Sequence, residues 1–322
     1  MTGDTAAVTG ATGFLGTHLC DHLRSEGWEV RGLSRSGPGR DDPEDVEWYV
    51  GDLFDRGVLE SLVDDTDVVF HLAGASLWNA DPETVHRVNR DGTATLLEAC
   101  AATDAGRVVF TSTSGTRRPN GSDPVADETN VAEPIGAYQA SKARAESLVD
   151  RYAERTGDAV TTHPTSIFGP GDRNFTAQLL AMGIERTMPA YLPGGLSIVG
   201  VDDVVAGLVA AAERGERGEH YILGGENLTY DRAVSRIGDA LDGAPARVPV
   251  PPTAIHAAGP VAELVDATTG RRVFPFDRRM ARLATQRLFY TSRKAHEELG
   301  YTYRPLEAHL PETAAWYRTE FG

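Results

Sequence analysis

The chain has 322 residues, 41% of them hydrophobic, and a formal net charge of −16, so it can bury a sizeable core under a strongly acidic surface. Such a surface repels nucleic acid and anionic membranes, which excludes both as partners. Apolar stretches such as 204–212 fall far short of the roughly 20 residues of a membrane helix, and no export signal opens the chain, so a cytoplasmic protein is expected.

Residues Thr5–Thr9 form a short apolar run, predicted as the first strand. It ends in Gly10-Ala11-Thr12-Gly13-Phe14-Leu15-Gly16, and a helical pattern follows to about Glu26. That helix carries His18 and His22 at a spacing that can share a metal, but no third ligand accompanies them and no metal site is assigned. Its Cys20, with Cys100, reads as a small buried hydrophobe of a reducing compartment rather than half of a disulfide. Glu29–Leu33 is the second strand, closed by the turn signal Ser34-Arg35-Ser36-Gly37-Pro38-Gly39. Next come a strand at Val46–Val50, a helix at Gly57–Val63 and a buried-type strand at Asp67–Leu72. Pro82 opens a long helix to about Ala102, and Arg107–Thr111 is another buried strand. A polar, turn-rich loop covers Thr116–Pro134, Gly136–Arg155 is helical, and Ala159–Thr162 is a strand running into His163-Pro164.

Strands alternating with helices over residues 5–164 predict an α/β fold, a doubly wound parallel sheet of the Rossmann type with ligands at the carboxyl ends of its strands. Beyond residue 165 proline and glycine cluster, and helices are predicted around 203–214, 230–241, 253–266 and 305–319. The expected division is a dinucleotide-binding domain over 1–167, with 197–223 returning to it, and a smaller irregular substrate-binding lobe over 168–322.

Four features carry chemistry. Gly10, Gly13 and Gly16 stand between a strand and a helix, where glycine lets the backbone approach a pyrophosphate and the helix start offers free N–H groups. The second strand ends in Ser34-Arg35 without the acid that bonds a ribose 2′-hydroxyl; a guanidinium there grips a 2′-phosphate, so NADP is favoured over NAD, unless Arg35 is only a solvated loop residue. Tyr138 and Lys142 lie one helical turn apart, and a cation near a phenol favours the phenolate, as a proton donor to a carbonyl requires. Finally, the hydroxyls Thr111-Ser112-Thr113-Ser114 follow a buried strand; one can hold a substrate oxygen beside the tyrosine, and at least two must be ordinary capping or turn groups.

Together these residues resemble the extended short-chain dehydrogenase/reductase family, also called NAD-dependent epimerase/dehydratases. The resemblance spans essentially the whole chain: Thr9–Gly16, Asp52-Leu53, His71-Leu72-Ala73-Gly74, Val88-Asn89 with Gly92-Thr93, Tyr138 with Lys142, Pro164–Asp172 and Val201–Val204. It implies that Phe14, Leu15, Asp52, Leu53, Leu72, Ala73, Gly74, Pro164 and Ile167 line the dinucleotide with the glycines. It also implies that Tyr138 and Lys142 touch it while catalysing, and that Thr113 is the catalytic hydroxyl, with Ser112 and Ser114 as alternatives. Asn89 is expected to support the site by hydrogen bonds. A homodimer through 82–102 and 136–155 is implied, with Ala140, Ala143 and Leu148 available to the contact.

Departures from the sugar-nucleotide members bear on the reaction. Ser114 and Gly115 stand where dehydratases of this kind carry an Asp-Glu pair, and 196–200 lacks the arginine that clamps a diphosphate. Together with Arg35, this is similar to the dihydroflavonol-reductase-like branch, while Tyr221–Asn227 resembles the hopanoid-associated epimerases. The expected function is hydride transfer between NADP and a small-molecule carbonyl or alcohol. A nucleotide-sugar epimerase on NAD is the alternative, and a non-catalytic dinucleotide sensor ranks last because the Tyr–Lys pair is kept. The substrate pocket is expected from Ser76–Asn79, the loop after Thr113 and the lobe from Phe168 onward.

Overall fold

The computed structural model describes residues 3–39, 45–76, 80–119, 124–173, 190–240, 248–269 and 278–321. Strand β1 (Thr5–Thr9) enters the glycine loop, and helix α1 (Phe14–Ser25) follows. The helix buries Gly16, Leu19, Cys20 and Leu23, the i, i+3, i+4, i+7 face of a helix packed on a sheet. β2 (Glu29–Ser34), β3 (Glu47–Val50), α2 (Arg56–Val63) and β4 (Thr66–His71) continue the alternation. Asp55 caps α2 by accepting from the Val58 amide, and Asp81 caps the next helix by accepting from the Glu83 and Thr84 amides.

The long helix expected from Pro82 is interrupted. It comprises α3 (Pro82–His86), a π-helical turn at Arg87–Asp91 and α4 (Gly92–Ala102). Such turns insert one extra residue and re-aim a side chain; here Asn89 turns inward and is buried. β5 (Ala105–Thr111), α5 (Ala137–Arg155) and β6 (Ala159–Pro164) complete the consecutive part of the sheet.

Short strands β7 (Ser166–Phe168), β8 (Ala190–Tyr191) and β9 (Gly195–Gly200) precede α6 (Val201–Arg214), and β10 (His220–Leu223) follows. β10 joins β6, giving seven parallel strands in the order β10-β6-β5-β4-β1-β2-β3. Within 197–223, residues up to Gly200 therefore lie in a second sheet, while α6 and β10 pack on or enter the first. The second sheet groups β7, β11 (Glu226–Thr229) and β13 (Arg287–Leu288) around β9. The remaining elements are α7 (Tyr230–Ala240), β12 (Val248–Pro249, paired with β8), α8 (Pro252–Thr269), α9 (Arg278–Ala284), α10 (Arg293–Leu299) and α11 (Leu306–Phe321). Strands this short leave too little periodicity to be read from sequence, which is why the second sheet was not expected.

Both faces of the first sheet are covered, one by α1, α6 and α10 and the other by α2, α4 and α5, and each carries its own buried cluster. A third cluster around Phe168, Ile198, Leu228, Ile237 and Leu310 holds the second sheet against α7 and α11. Asp203 at the start of α6 ties that region down: it accepts from the Arg304 amide at 2.8 Å and the Arg304 Nε at 2.9 Å, and lies 2.9 Å from His309 Nε2. His18, considered above for a metal, instead meets the Pro170 carbonyl at 2.8 Å and Asp202 at 3.6 Å. Cys20 and Cys100 are buried and not joined in a disulfide, and burial pushes the Cys100 thiol up to about 12. No helix among the described residues is long and apolar enough to cross a membrane.

Leu208 on α6 is wholly buried in the first cluster. Leu208→Ala is expected to lower unfolding stability by ~2–5 kcal/mol, read from the midpoint of denaturant unfolding at unchanged slope.

Candidate active site

The carboxyl ends of β1, β4, β5 and β6 converge on one region. Gly10 leaves β1 with φ +75°, a left-handed conformation that a side chain resists. A Cβ on Gly10 would come within 2.7 Å of the Ala73 backbone nitrogen, and one on Gly16 within 2.0 Å of the Gly10 carbonyl oxygen. The loop is thus folded against the end of β4 at a distance only glycine permits. Gly13 is the N-cap of α1 and supplies no capping side chain, so the Phe14 and Leu15 amides at the helix start are left for an external acceptor. This cradle fits a pyrophosphate. Phe14 stacks edge-on against His18, and Leu15 packs on the first core cluster.

Thr9 orders the same corner. Its hydroxyl meets His71 Nδ1 at 2.7 Å and accepts from the Ala73 amide at 3.3 Å, while the Leu72 amide donates to the Thr9 carbonyl. His71 Nε2 meets Thr93 Oγ1 at 2.8 Å, and burial, with the Lys142 charge, pushes the imidazole down to about 3, so it stays neutral. Gly74 sits between Asn89 and Lys142: a Cβ there would lie 3.2 Å from Asn89 Oδ1 and 3.4 Å from Lys142 Nζ. Asn89 accepts from the Ala75 amide at 2.7 Å and donates to the Ala75 carbonyl and to Ser141 Oγ, both at 2.9 Å. The π turn therefore links the end of β4 to α5, which carries Tyr138 and Lys142.

At the other dinucleotide positions, Asp52 accepts from the Phe54 amide at 2.7 Å, and Leu53 packs where a Gly92 Cβ would stand. Pro164 ends β6, and Ile167 lies in β7 against the first cluster. At the end of β2 the Ser34 hydroxyl turns back to the Gly37 carbonyl at 2.7 Å, and Arg35 is exposed. Of the expected substrate wall, 77–79, 120–123 and 174–189 lie outside the described residues.

The four hydroxyls after β5 separate into different environments. Thr111 Oγ1 is buried without a hydrogen-bond partner among the described residues. Ser112 donates to Glu146 in a short hydrogen bond. Ser114 bonds the Tyr290 hydroxyl. The Thr113 hydroxyl is near enough to the Tyr138 phenol to draw its pKa down, and it accepts from the Gly115 amide at 3.2 Å. Burial pushes the Tyr138 phenol up and the Thr113 bond pulls it down. Lys142 is buried; its ammonium donates to the Thr111 carbonyl at 2.8 Å and lies 5.0 Å from the centre of the Phe110 ring. Burial lowers its pKa to about 8 while Glu146 opposes the fall, leaving a cation at neutral pH. No direct bond joins Lys142 to Tyr138 among the described residues, and burial leaves the phenol above its usual range.

Sequence reasoning missed the polar cluster beneath this segment. Glu146, Arg117 and His163 are buried, and His220 is partly so. Glu146, His163 and His220 place ligand atoms within 4.8 Å of one another. The Arg117 guanidinium stands among them, donating to Glu146 and His220 at 3.0 Å each and lying 3.5 Å from His163, so the cluster already contains its cation. The i, i+4 spacing of Lys142 and Glu146 was visible in the sequence; Arg117, inside a turn-rich loop, gave no sign of burial.

The sequence model described as the NAD dependent epimerase/dehydratase family matches residues 6–224. The chain belongs to that family. It is 33% identical over 325 residues to the protein named "Putative dihydroflavonol 4-reductase" of Synechocystis sp., covering 97% of this chain and 94% of that one. It is 30% identical over 328 residues, 98% of each, to Sterol demethylase protein B of Methylococcus capsulatus. Among solved structures, that of gox2253 superposes with a TM-score of 0.86 at 32% identity, over 99% of this chain and 98% of that one. The UDP-glucose 4-epimerase of Thermotoga maritima shares the fold with a TM-score of 0.79 at 21% identity, over 99% and 100%. Membership of that family makes this an enzyme of the NAD-dependent type.

Gly16→Ala sets a methyl against the Gly10 carbonyl. It is expected to weaken binding of a reduced nicotinamide dinucleotide, NADH and NADPH each titrated by fluorescence, at least about tenfold, a change of 1.4 kcal/mol; undiminished binding of both would contradict the cradle.

Proposed function

We propose that this protein is an NADP-dependent oxidoreductase transferring hydride between the dinucleotide and a small-molecule carbonyl or alcohol, with Tyr138 as proton donor. The observation that carries this reading is the buried Lys142 cation, one helical turn from Tyr138 and fastened to the Thr111 carbonyl at 2.8 Å, which sets both beside the hydroxyl segment that includes Thr113. The bound dinucleotide supplies or accepts the hydride. Thr113 holds the substrate oxygen and Tyr138 gives it a proton, leaving a phenolate that the nearby ammonium favours. Tyr138 and Lys142 are the groups to hold the nicotinamide ribose, with Leu72, Ala73, Gly74, Pro164 and Ile167 along the dinucleotide and Gly10–Gly16 on its phosphates. Residues 1–167 with the return over 197–223 are assigned to the dinucleotide, and 168–322 to the substrate.

Two features support reduction over sugar-nucleotide chemistry. Gly115 leaves no carboxylate beside Thr113, and residues 195–200 are a wholly buried strand without an arginine to meet a diphosphate. The choice of NADP over NAD rests on Arg35, exposed at the end of a strand that offers no acid to a ribose 2′-hydroxyl. We also propose a homodimer through α3–α5, where the half-buried Ala140, Ala143 and Leu148 leave apolar area to cover. Two buried cysteines that form no disulfide fit a cytoplasmic setting.

Tyr138→Phe is expected to cut NADPH oxidation by about 10²–10⁴-fold across a panel of aldehydes and ketones, with NADPH binding retained; undiminished turnover would remove Tyr138 from the mechanism. Arg35→Ser is expected to narrow the preference for NADPH over NADH by about tenfold or more, the size of one charge-assisted hydrogen bond. An unchanged ratio of kcat/KM values would make Arg35 a bystander.

A further inference from the structure

The geometry points to Glu146 as a positioning residue whose two carboxylate oxygens grip the chain on either side of Thr113, one through Ser112 and the other through Arg117. This inference deepens the proposed function and rests on Thr113 acting beside Tyr138. The contacts themselves are direct: Ser112 Oγ donates to Glu146 Oε1, and Arg117 Nη1 donates to Glu146 Oε2 at 3.0 Å. Ser112, Arg117 and Glu146 are all buried. Between the two grips runs a single 3-10 turn, Ser114–Thr116, with Thr113 as its N-cap.

The turn closes on few bonds of its own. The Thr116 amide and hydroxyl donate to the Thr113 carbonyl at 3.2 and 2.9 Å, and the Arg117 amide donates to the Ser114 carbonyl at 2.9 Å. A turn of this size is weakly held by itself. From outside, the Ala132 amide donates to the Thr116 carbonyl at 3.0 Å and His163 Nδ1 lies 3.2 Å from the Thr113 carbonyl, while the Glu146 carboxylate ties the turn to α5, the helix that also carries Tyr138 and Lys142. Helix and turn are therefore registered through a charge-assisted pair, shorter and stronger than neutral hydrogen bonds. Such a buried carboxylate is costly unless paired, and Arg117 is its partner. Arg117 in turn donates through Nε to the Glu128 carbonyl at 2.7 Å, and its own carbonyl accepts from the Tyr290 hydroxyl at 3.2 Å. The arginine is thus fastened to the loop and to the segment before α10, independently of Glu146.

Glu146 also lies one turn beyond Lys142 and is the charge that opposes the loss of the Lys142 proton. Around these two charges stand Tyr138 on α5 and His71 on β4, which registers the ammonium, while His163 on β6 and Arg117 after β5 lie against Glu146. His71 and His163 are held neutral by burial, so Glu146 is the anion on which the lysine depends.

The chain has only two lysines, Lys142 and Lys294, which allows a test without substrate. In cofactor-free protein labelled at lysine, the two side-chain resonances can be followed against pH and assigned with Lys294→Arg. Glu146→Gln is expected to lower the Lys142 midpoint by at least about one pH unit. It is also expected to speed amide exchange at Gly115–Arg117 while Val108–Phe110 exchange as in the unmodified protein. Ser112→Ala, which releases one grip and keeps the charge, should speed exchange in the same turn and leave the lysine midpoint in place; it decides the matter if Glu146→Gln does not fold. Unchanged exchange in the turn, or acceleration spread evenly through β5, would overturn the assignment, as would a Lys142 midpoint indifferent to Glu146→Gln. If the native protein oxidised no NADPH, the proposed function would fail while these readouts still decided the role of Glu146.

Discussion

A buried ammonium constrains everything around it. Lys142 is removed from water at the carboxyl end of the sheet, and a cation in that position persists only where groups aimed at it replace its hydration. The Thr111 carbonyl, the face of Phe110 and the carboxylate of Glu146 do so. Each comes from an element whose position is already fixed: the end of β5, its buried aromatic, and the next turn of α5. Histidines close to the cation must then remain neutral, and His71 does so between two threonine hydroxyls. The close packing of Gly74 against Lys142 and Asn89 follows from the same crowding.

The glycine loop is a second constraint, joined to the first through Thr9. By meeting His71 and the Ala73 amide, Thr9 ties the phosphate cradle to the end of β4, and Asn89 carries the tie on to Ser141, beside Lys142. The loop and the Tyr–Lys helix are thus parts of one hydrogen-bonded frame. The frame brings together two motifs about 130 residues apart in the chain.

Much of this was legible beforehand because it rests on local rules. Strand and helix periods located the seven-stranded sheet as far as β6, and the strand–glycine–helix context located the cradle. Tyr138 and Lys142 were legible because one helical turn puts them on one face. The π turn at Arg87–Asp91 was not, since its cause is the inward demand on Asn89 from Ala75 and Ser141, which are distant in sequence. Nor was the second sheet, whose strands are too short for a period, or the Arg117–Glu146 pair, since nothing local distinguishes a buried arginine from a solvated one. Among the four hydroxyls after β5 the sequence favoured Thr113 only by resemblance; in the folded chain Ser112 and Ser114 are occupied elsewhere and Thr113 faces the phenol.

The central claim is net hydride transfer at the Thr113–Tyr138 pair. Its most direct test uses NADPH carrying deuterium on the transferable position of C4, with a panel of aldehydes and ketones and mass analysis of the products. The account predicts one deuterium on the former carbonyl carbon for each NADPH consumed, at a rate about 10²–10⁴-fold lower with Tyr138→Phe. Dinucleotide retained tightly through purification, with no label passing to any acceptor, would contradict it.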